Sequence, residues 1–69
     1  MNTNHEHGSP WDRGSADSYY RRARQPHWWP QGTGFGKRIE QADMTAEQII
    51  EYNEGYDWNE AHGDKKNWG

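Results

Sequence analysis

Met44-Thr45-Ala46-Glu47-Gln48-Ile49-Ile50-Glu51-Tyr52-Asn53-Glu54-Gly55-Tyr56 carries a helix start and a helical stripe in one run. Thr45 can cap the first turn, Gln48 three residues on completes a capping box, and Met44 with Ile49 stands at the positions of a hydrophobic staple. Ile49, Tyr52, Asn53 and Tyr56 fall on one side of a 3.6-residue repeat, with Ala46 and Ile50 at its margin. Gly63 is suited to the residue just past a helix end, so the pattern predicts a helix over 46–62. Glu47, Glu51 and Glu54 lie away from the stripe. Trp58, nine steps of about 100° beyond Ile49, lands among them instead of with the core.

Upstream, Ser9 can act as N-cap, Pro10 suits the first helical position and Asp12 meets the positive end of the helix dipole. Ala16, Tyr19, Tyr20 and Ala23 repeat at i, i+3, i+4 and i+7, and Pro26 stops the run, which predicts a helix over 10–23. Gly14, Ser15 and Ser18 are poor helix formers whose smallness suits another backbone or a large ring lying against that side. Residues 24–44, rich in Gly, Pro and Gln, read as a long loop. Residues 1–8 and 63–69 read as disordered and flexible tails. The expected fold is all-α: one small helical hairpin over 9–62, held by Tyr19, Tyr20, Ile49, Tyr52, Tyr56 and one of Trp28 or Trp29.

Composition narrows the function. The chain has 69 residues, ten of them aromatic, with no Cys, Leu or Val. So thin an apolar supply predicts a minimal aromatic core with help from a partner. Without cysteine there is no disulfide framework, thiolate metal site or Cys nucleophile. No apolar run exceeds two residues and the start has no signal-peptide pattern, so a cytoplasmic, non-membrane protein is expected. Net charge is -3, yet residues 1–38 hold six Lys/Arg against three Asp/Glu and residues 39–69 hold two against eight. Such a dipole suits two helices that pair electrostatically, or a basic face for one partner and an acidic face for another.

Pro26-His27-Trp28-Trp29-Pro30 is the strongest single motif, since prolines on both sides hold two adjacent indoles on an extended backbone. One reading makes both rings lids over the tyrosine faces. The other makes them a stacking platform that, with Arg21, Arg22, Arg24, His27, Lys37 and Arg38, binds unstacked bases and phosphates of RNA. Glu47, Glu51, Glu54, Trp58 and His62 form a second candidate surface, for a protein partner or a second copy, against the plain alternatives of a solvated helix face and of Trp28, Trp29 or Trp68 folding over Trp58. Gly32-Thr33-Gly34-Phe35-Gly36-Lys37-Arg38 only looks like a phosphate loop. Gln31 stands where the first glycine belongs and Arg38 where the metal-binding hydroxyl belongs, so a plain turn with Phe35 tucked inward is expected. His5 and His7 lack a second ligand pair, so no structural metal is expected. No nucleophile elbow is present, and neither catalysis, a cofactor nor a small-molecule substrate is expected.

Arg13-Gly14-Ser15-Ala16-Asp17-Ser18-Tyr19-Tyr20-Arg21-Arg22, then Pro26, then Tyr52-Asn53-Glu54-Gly55-Tyr56, is similar to the pattern of the bacterial ribosome modulation factor family. Arg22, Pro26, Tyr52, Gly55 and Tyr56 match that pattern, while Arg21 stands where the family has Gly and Gln25 where it has Cys. The chain also resembles short bacterial and phage proteins that share Pro-Trp-Asp-Arg-Gly-Ser-Ala-Asp-x-Tyr-Tyr and Tyr-x-x-Gly-Tyr. The first resemblance implies an antiparallel two-helix regulator that sets basic residues on ribosomal RNA. The second leaves open a protein-binding adaptor or inhibitor carried by a mobile element.

Overall fold

The computed structural model describes residues 6–63, 65 and 66. The chain is mostly helical, with α1 at Pro10–Tyr19, a short antiparallel ladder of β1 (His27–Trp28) and β2 (Ile39–Glu40), a 3-10 turn at Gln41–Asp43, and α2 at Ala46–His62. The expected loop over 24–44 therefore contains a ladder, which pairs His27 with Glu40 and Trp28 with Ile39. No helix among the described residues is long and apolar enough to cross a membrane.

α2 begins and ends where its local signals put it. Gln48 N donates to Thr45 Oγ1 at 3.1 Å and Thr45 N donates to Gln48 Oε1 at 2.9 Å, a complete capping box. Met44, ahead of it, is buried. α1 starts as expected on Ser9, whose hydroxyl accepts from Asp12 N, but it stops at Tyr19 instead of running to residue 23. Arg22 N bonds back to Asp17 O at 2.8 Å and Arg21 N to Ser18 O at 3.0 Å. With Arg21 at φ 61, this is a Schellman turn that has arginine where glycine is usual.

The buried face of α1 is also not the aromatic one. Pro10, Gly14, Asp17 and Ser18 are buried, at i, i+4, i+7 and i+8, whereas Tyr19 is half-buried and Tyr20 exposed. These small residues meet Tyr52, Gly55 and Asn59, the buried positions of α2. A Cβ added to Gly14 would overlap the Tyr52 carbonyl oxygen, and one added to Gly55 would overlap that of Trp11. The two backbones thus touch at a crossing that only glycine permits, and helix-to-helix packing is the dominant tertiary contact. Tyr52 is fully buried, whereas Ile49 and Tyr56, expected beside it in the core, are half-buried.

Polar groups fill out this interior. Ser18 donates to Glu60 Oε2 at 2.6 Å and accepts from Asn59 Nδ2 at 3.0 Å and Lys65 Nζ at 2.8 Å. Lys65, which also pairs with Glu60, and Lys66, whose N bonds Tyr19 O, tie the segment after α2 to α1. Before α1, Gly8 O accepts from Trp29 N at 2.7 Å and Gly8 is buried. The segments expected to be loose tails therefore make fixed contacts at residues 6–8 and 65–66. The remainder of the two tails, with His5 and Trp68, lies outside the described residues. Phe35, expected to tuck inward, is 68% exposed, in a turn whose glycines 32, 34 and 36 all adopt positive φ.

Candidate functional site

Where α1 gives way to β1 and the glycine-rich turn, the chain encloses an open cleft of about 390 Å³. Arg13, Arg22 and Arg38 line it, with Asp17, His27 and Trp29. Arg13 and Asp17 are placed by the i, i+4 spacing of α1, Arg22 by the Schellman turn, and His27 and Arg38 by the β1–β2 ladder and its approach. Each element contributes a cation from a different part of the sequence.

Arg13 organises the floor. Its Nε donates to His27 Nε2 at 3.2 Å, its Nη1 to Thr33 Oγ1 at 3.4 Å, and its Nη2 lies 3.9 Å from Asp17 Oδ1. Because His27 Nε2 accepts from a guanidinium, the ring's proton is on Nδ1, which donates to Gln25 O at 2.7 Å. The ring is therefore neutral. Burial holds its pKa below the ordinary value of 6.5, with the Arg38 and Arg13 charges acting in the same direction and the Gln25 carbonyl and Asp17 against it.

Asp17 is 3% exposed and joins the cleft to the helix crossing. It accepts from the Tyr52 hydroxyl, lies 3.7 Å from Arg22 Nη1, and has His27 Nδ1 at 3.8 Å. The Tyr52 oxygen in turn accepts from Gln25 N at 3.0 Å. Burial first, and the Asp17 hydrogen bond second, push the Tyr52 hydroxyl above its ordinary range, so it stays protonated as a donor. Arg22 and Arg38 keep more of their surface in water, with side chains 59% and 32% exposed. Arg38 Nε sits 3.0 Å from Glu40 Oε2 but at an angle that forms no hydrogen bond. Three guanidiniums thus face two carboxylates, one of them at the exposed rim.

Of the eight residues singled out for RNA, the cleft gathers Arg22, His27, Trp29 and Arg38. His27, at 3% exposure, is part of the floor and is no contact surface. Arg21 is turned away by its left-handed backbone and donates to Lys66 O. Arg24 is tied to α2, paired with Asp57, bonded to Asn53 and set 4.4 Å over the Tyr56 ring. Trp28 is committed to the ladder, and neither it nor the exposed Lys37 lines the cleft. Sequence reasoning missed Arg13, Asp17, Gln25 and Thr33. The i, i+4 spacing of Arg13 and Asp17 was a usable signal for the first two, whereas Gln25 and Thr33 carry none.

In the second candidate group, Glu47, Glu54, Trp58 and His62 are exposed on α2 and Glu51 is half-buried. Trp58 is 48% exposed and does stand off the core. Its neighbours are His62, at 5.5 Å between ring centroids, and Trp11, at 5.6 Å, a ring from the first turn of α1 that stands where Trp28 or Trp29 was expected, while Trp68 lies outside the described residues. No protein family, curated protein or solved structure matches the chain.

Proposed function

We propose that this chain is a small non-enzymatic regulatory protein that binds single-stranded RNA, ribosomal RNA included, through the arginine-lined cleft. The observation that carries this reading is the convergence of Arg13, Arg22 and Arg38 on one cleft with Trp29 in its wall. Guanidinium groups bind phosphate oxygens in pairs, and an indole offers a face to any base. An open cleft of this size can take a single unstacked nucleotide, which matches the way proteins read loops and strand ends. Arg13, fixed by His27 and Thr33, preorganises the site, while the more exposed Arg22 and Arg38 are available to the ligand. The resemblance to ribosome modulation factors points to the same class of partner.

The test is fluorescence anisotropy with labelled single-stranded and duplex RNA over a series of salt concentrations, alongside sucrose-gradient sedimentation with ribosomes. Single strands are expected to bind, and the log–log salt slope should shrink by about 0.7 for each arginine removed in Arg22→Ala and Arg38→Ala. Arg21→Ala and Arg24→Ala should leave it unchanged. Absence of binding at ~50 mM salt, where attraction is strongest, would sink the reading. So would equal losses from all four arginines.

A further inference from the structure

We propose that the outward face of α2 is a docking surface for a basic amphipathic helix of another protein. It is independent of the cleft, because no residue of α2 lines that site. Glu47, Ile50, Glu54, Trp58, Ala61 and His62 follow one another at spacings of three and four, or share a turn, and all six are exposed. The two large apolar members, Ile50 at 56% exposure and Trp58 at 48%, stand about 12 Å apart along the helix axis. Two anchors at that spacing match two turns of a helix lying along α2. Trp58 is held in place between Trp11 and His62 and still shows half its surface, so it offers apolar area with little ordering left to lose.

Charge selects the occupant. Asp17, Glu40, Asp57 and Glu60 each have a cation beside them. Glu47, Glu51 and Glu54, clustered around the apolar anchors, have no ion pair among the described residues. Such carboxylates favour a cationic partner and oppose nucleic acid. A second copy of this chain is poorly equipped to supply the cations. Arg13, Arg22 and Arg38 are in the cleft, Arg21, Arg24 and Lys65 are committed to intramolecular contacts, Lys37 and Lys66 lie outside both helices, and the single arginine of α1 is Arg13. Neither helix of the chain is therefore basic along an apolar face.

The experiment uses the full chain and a short leucine–lysine amphipathic helical peptide, fluorescently labelled, with a leucine–glutamate peptide of the same pattern as counterpart. The lysine peptide is expected to bind, with Trp58→Ala and Ile50→Ala each weakening it about tenfold, a typical loss for a central interface anchor. Neutralising Glu47, Glu51 and Glu54 to Gln should weaken binding and flatten its salt dependence, while Arg22→Ala should leave it unchanged. Trp58→Phe should recover most of the affinity and Ile50→Ala disturbs no intramolecular ring contact, so a folding defect in Trp58→Ala cannot decide the outcome alone. The proposal is overturned if the lysine peptide does not bind, if it binds the apolar-anchor variants as well as the parent, or if the glutamate peptide binds equally. It is also overturned if sedimentation shows self-association that Trp58→Ala abolishes, since the face would then belong to a second copy.

Discussion

At the crossing of α1 and α2 the contact is made by residues with almost no side chain, and at the cleft a few residues away it is made by the longest side chains the chain possesses. Gly14 against Tyr52 O and Gly55 against Trp11 O leave no freedom, because a backbone carbonyl cannot rotate out of the way. Arg22 and Arg38 reach their positions across flexible stems and remain partly in water. Asp17 belongs to both regions at once, lining the cleft and accepting from Tyr52 at the crossing. Close approach of two backbones thus holds the crossing, whereas the cleft is lined by long side chains on flexible stems.

The largest expected effects are at the glycines of the crossing. In an ordinary exposed helix, Gly→Ala stabilises by about 1 kcal/mol. Here Gly14→Ala and Gly55→Ala should each cost about 3 kcal/mol, since the new methyl must separate the helices. Urea unfolding followed by circular dichroism checks this, and a gain in stability in either variant would show that the helices do not touch. Next in size is Tyr52→Phe. It keeps the ring but removes a donor to Asp17 and the acceptor of Gln25 N, for an expected loss of about 1–3 kcal/mol in the same measurement.

These two regions also differ in how far they could be read from the sequence. α2 was legible because its signals are local: Thr45 with Gln48 starts it, and Gly63 stands just past its last residue, although at φ -89 it does not use the left-handed backbone that favours glycine there. The start of α1 was legible for the same reason, through Ser9 and Pro10. The buried face of α1 was half legible. The smallness of Gly14 and Ser18 pointed to a backbone or ring lying against that side, as found, whereas apolar periodicity selects Ala16, Tyr19, Tyr20 and Ala23, and Asp17, buried by hydrogen bonding, carries no hydrophobic signal. The ladder was not legible, because two residues in each strand are too few for alternation to show. The cleft was half legible. Basic and aromatic composition pointed to Arg22, Trp29 and Arg38, but the contact of Arg13 with Thr33, twenty residues away, depends on the tertiary path of the chain.

At Arg21 the expected change has the opposite sign. It sits at φ 61 in the position where helices commonly end on glycine, and its side chain contributes an exposed bond to Lys66 O. Left-handed backbone costs a residue with a Cβ about 1 kcal/mol, so Arg21→Gly should stabilise the chain by that order. The same variant should bind single-stranded RNA as the parent does, because Arg21 lies outside the cleft. A stability gain with unchanged affinity would separate the two regions cleanly, and a loss of affinity would return Arg21 to the site.

The smallest expected effect is a pH dependence seated on His27, where crossing and cleft share a floor. Folded His27 holds its proton more weakly than the unfolded chain, whose ordinary value is 6.5, and burial is the main cause. Below that value the unfolded state takes up more protons than the folded one, so stability is full at higher pH and declines as the pH falls through 6.5. The decline is modest because the groups facing the ring oppose one another: Arg38 and Arg13 resist its protonation, while Asp17 and the Gln25 carbonyl favour it. Glu60, whose carboxyl is held below the ordinary 4.5 by Lys65 and then Ser18, begins its own loss only below that value, so its window opens at lower pH than that of His27. Urea midpoints measured between neutral pH and about pH 5 should fall for the parent and stay nearly level for His27→Gln, which retains an acceptor for Arg13 and a donor for Gln25. Equal slopes in the two would place the titrating group elsewhere. Protonated His27 can no longer accept from Arg13, so Arg13 should be released from the cleft floor over the same pH range, and a change in RNA affinity that tracks the change in stability would show that the two regions share this one ring.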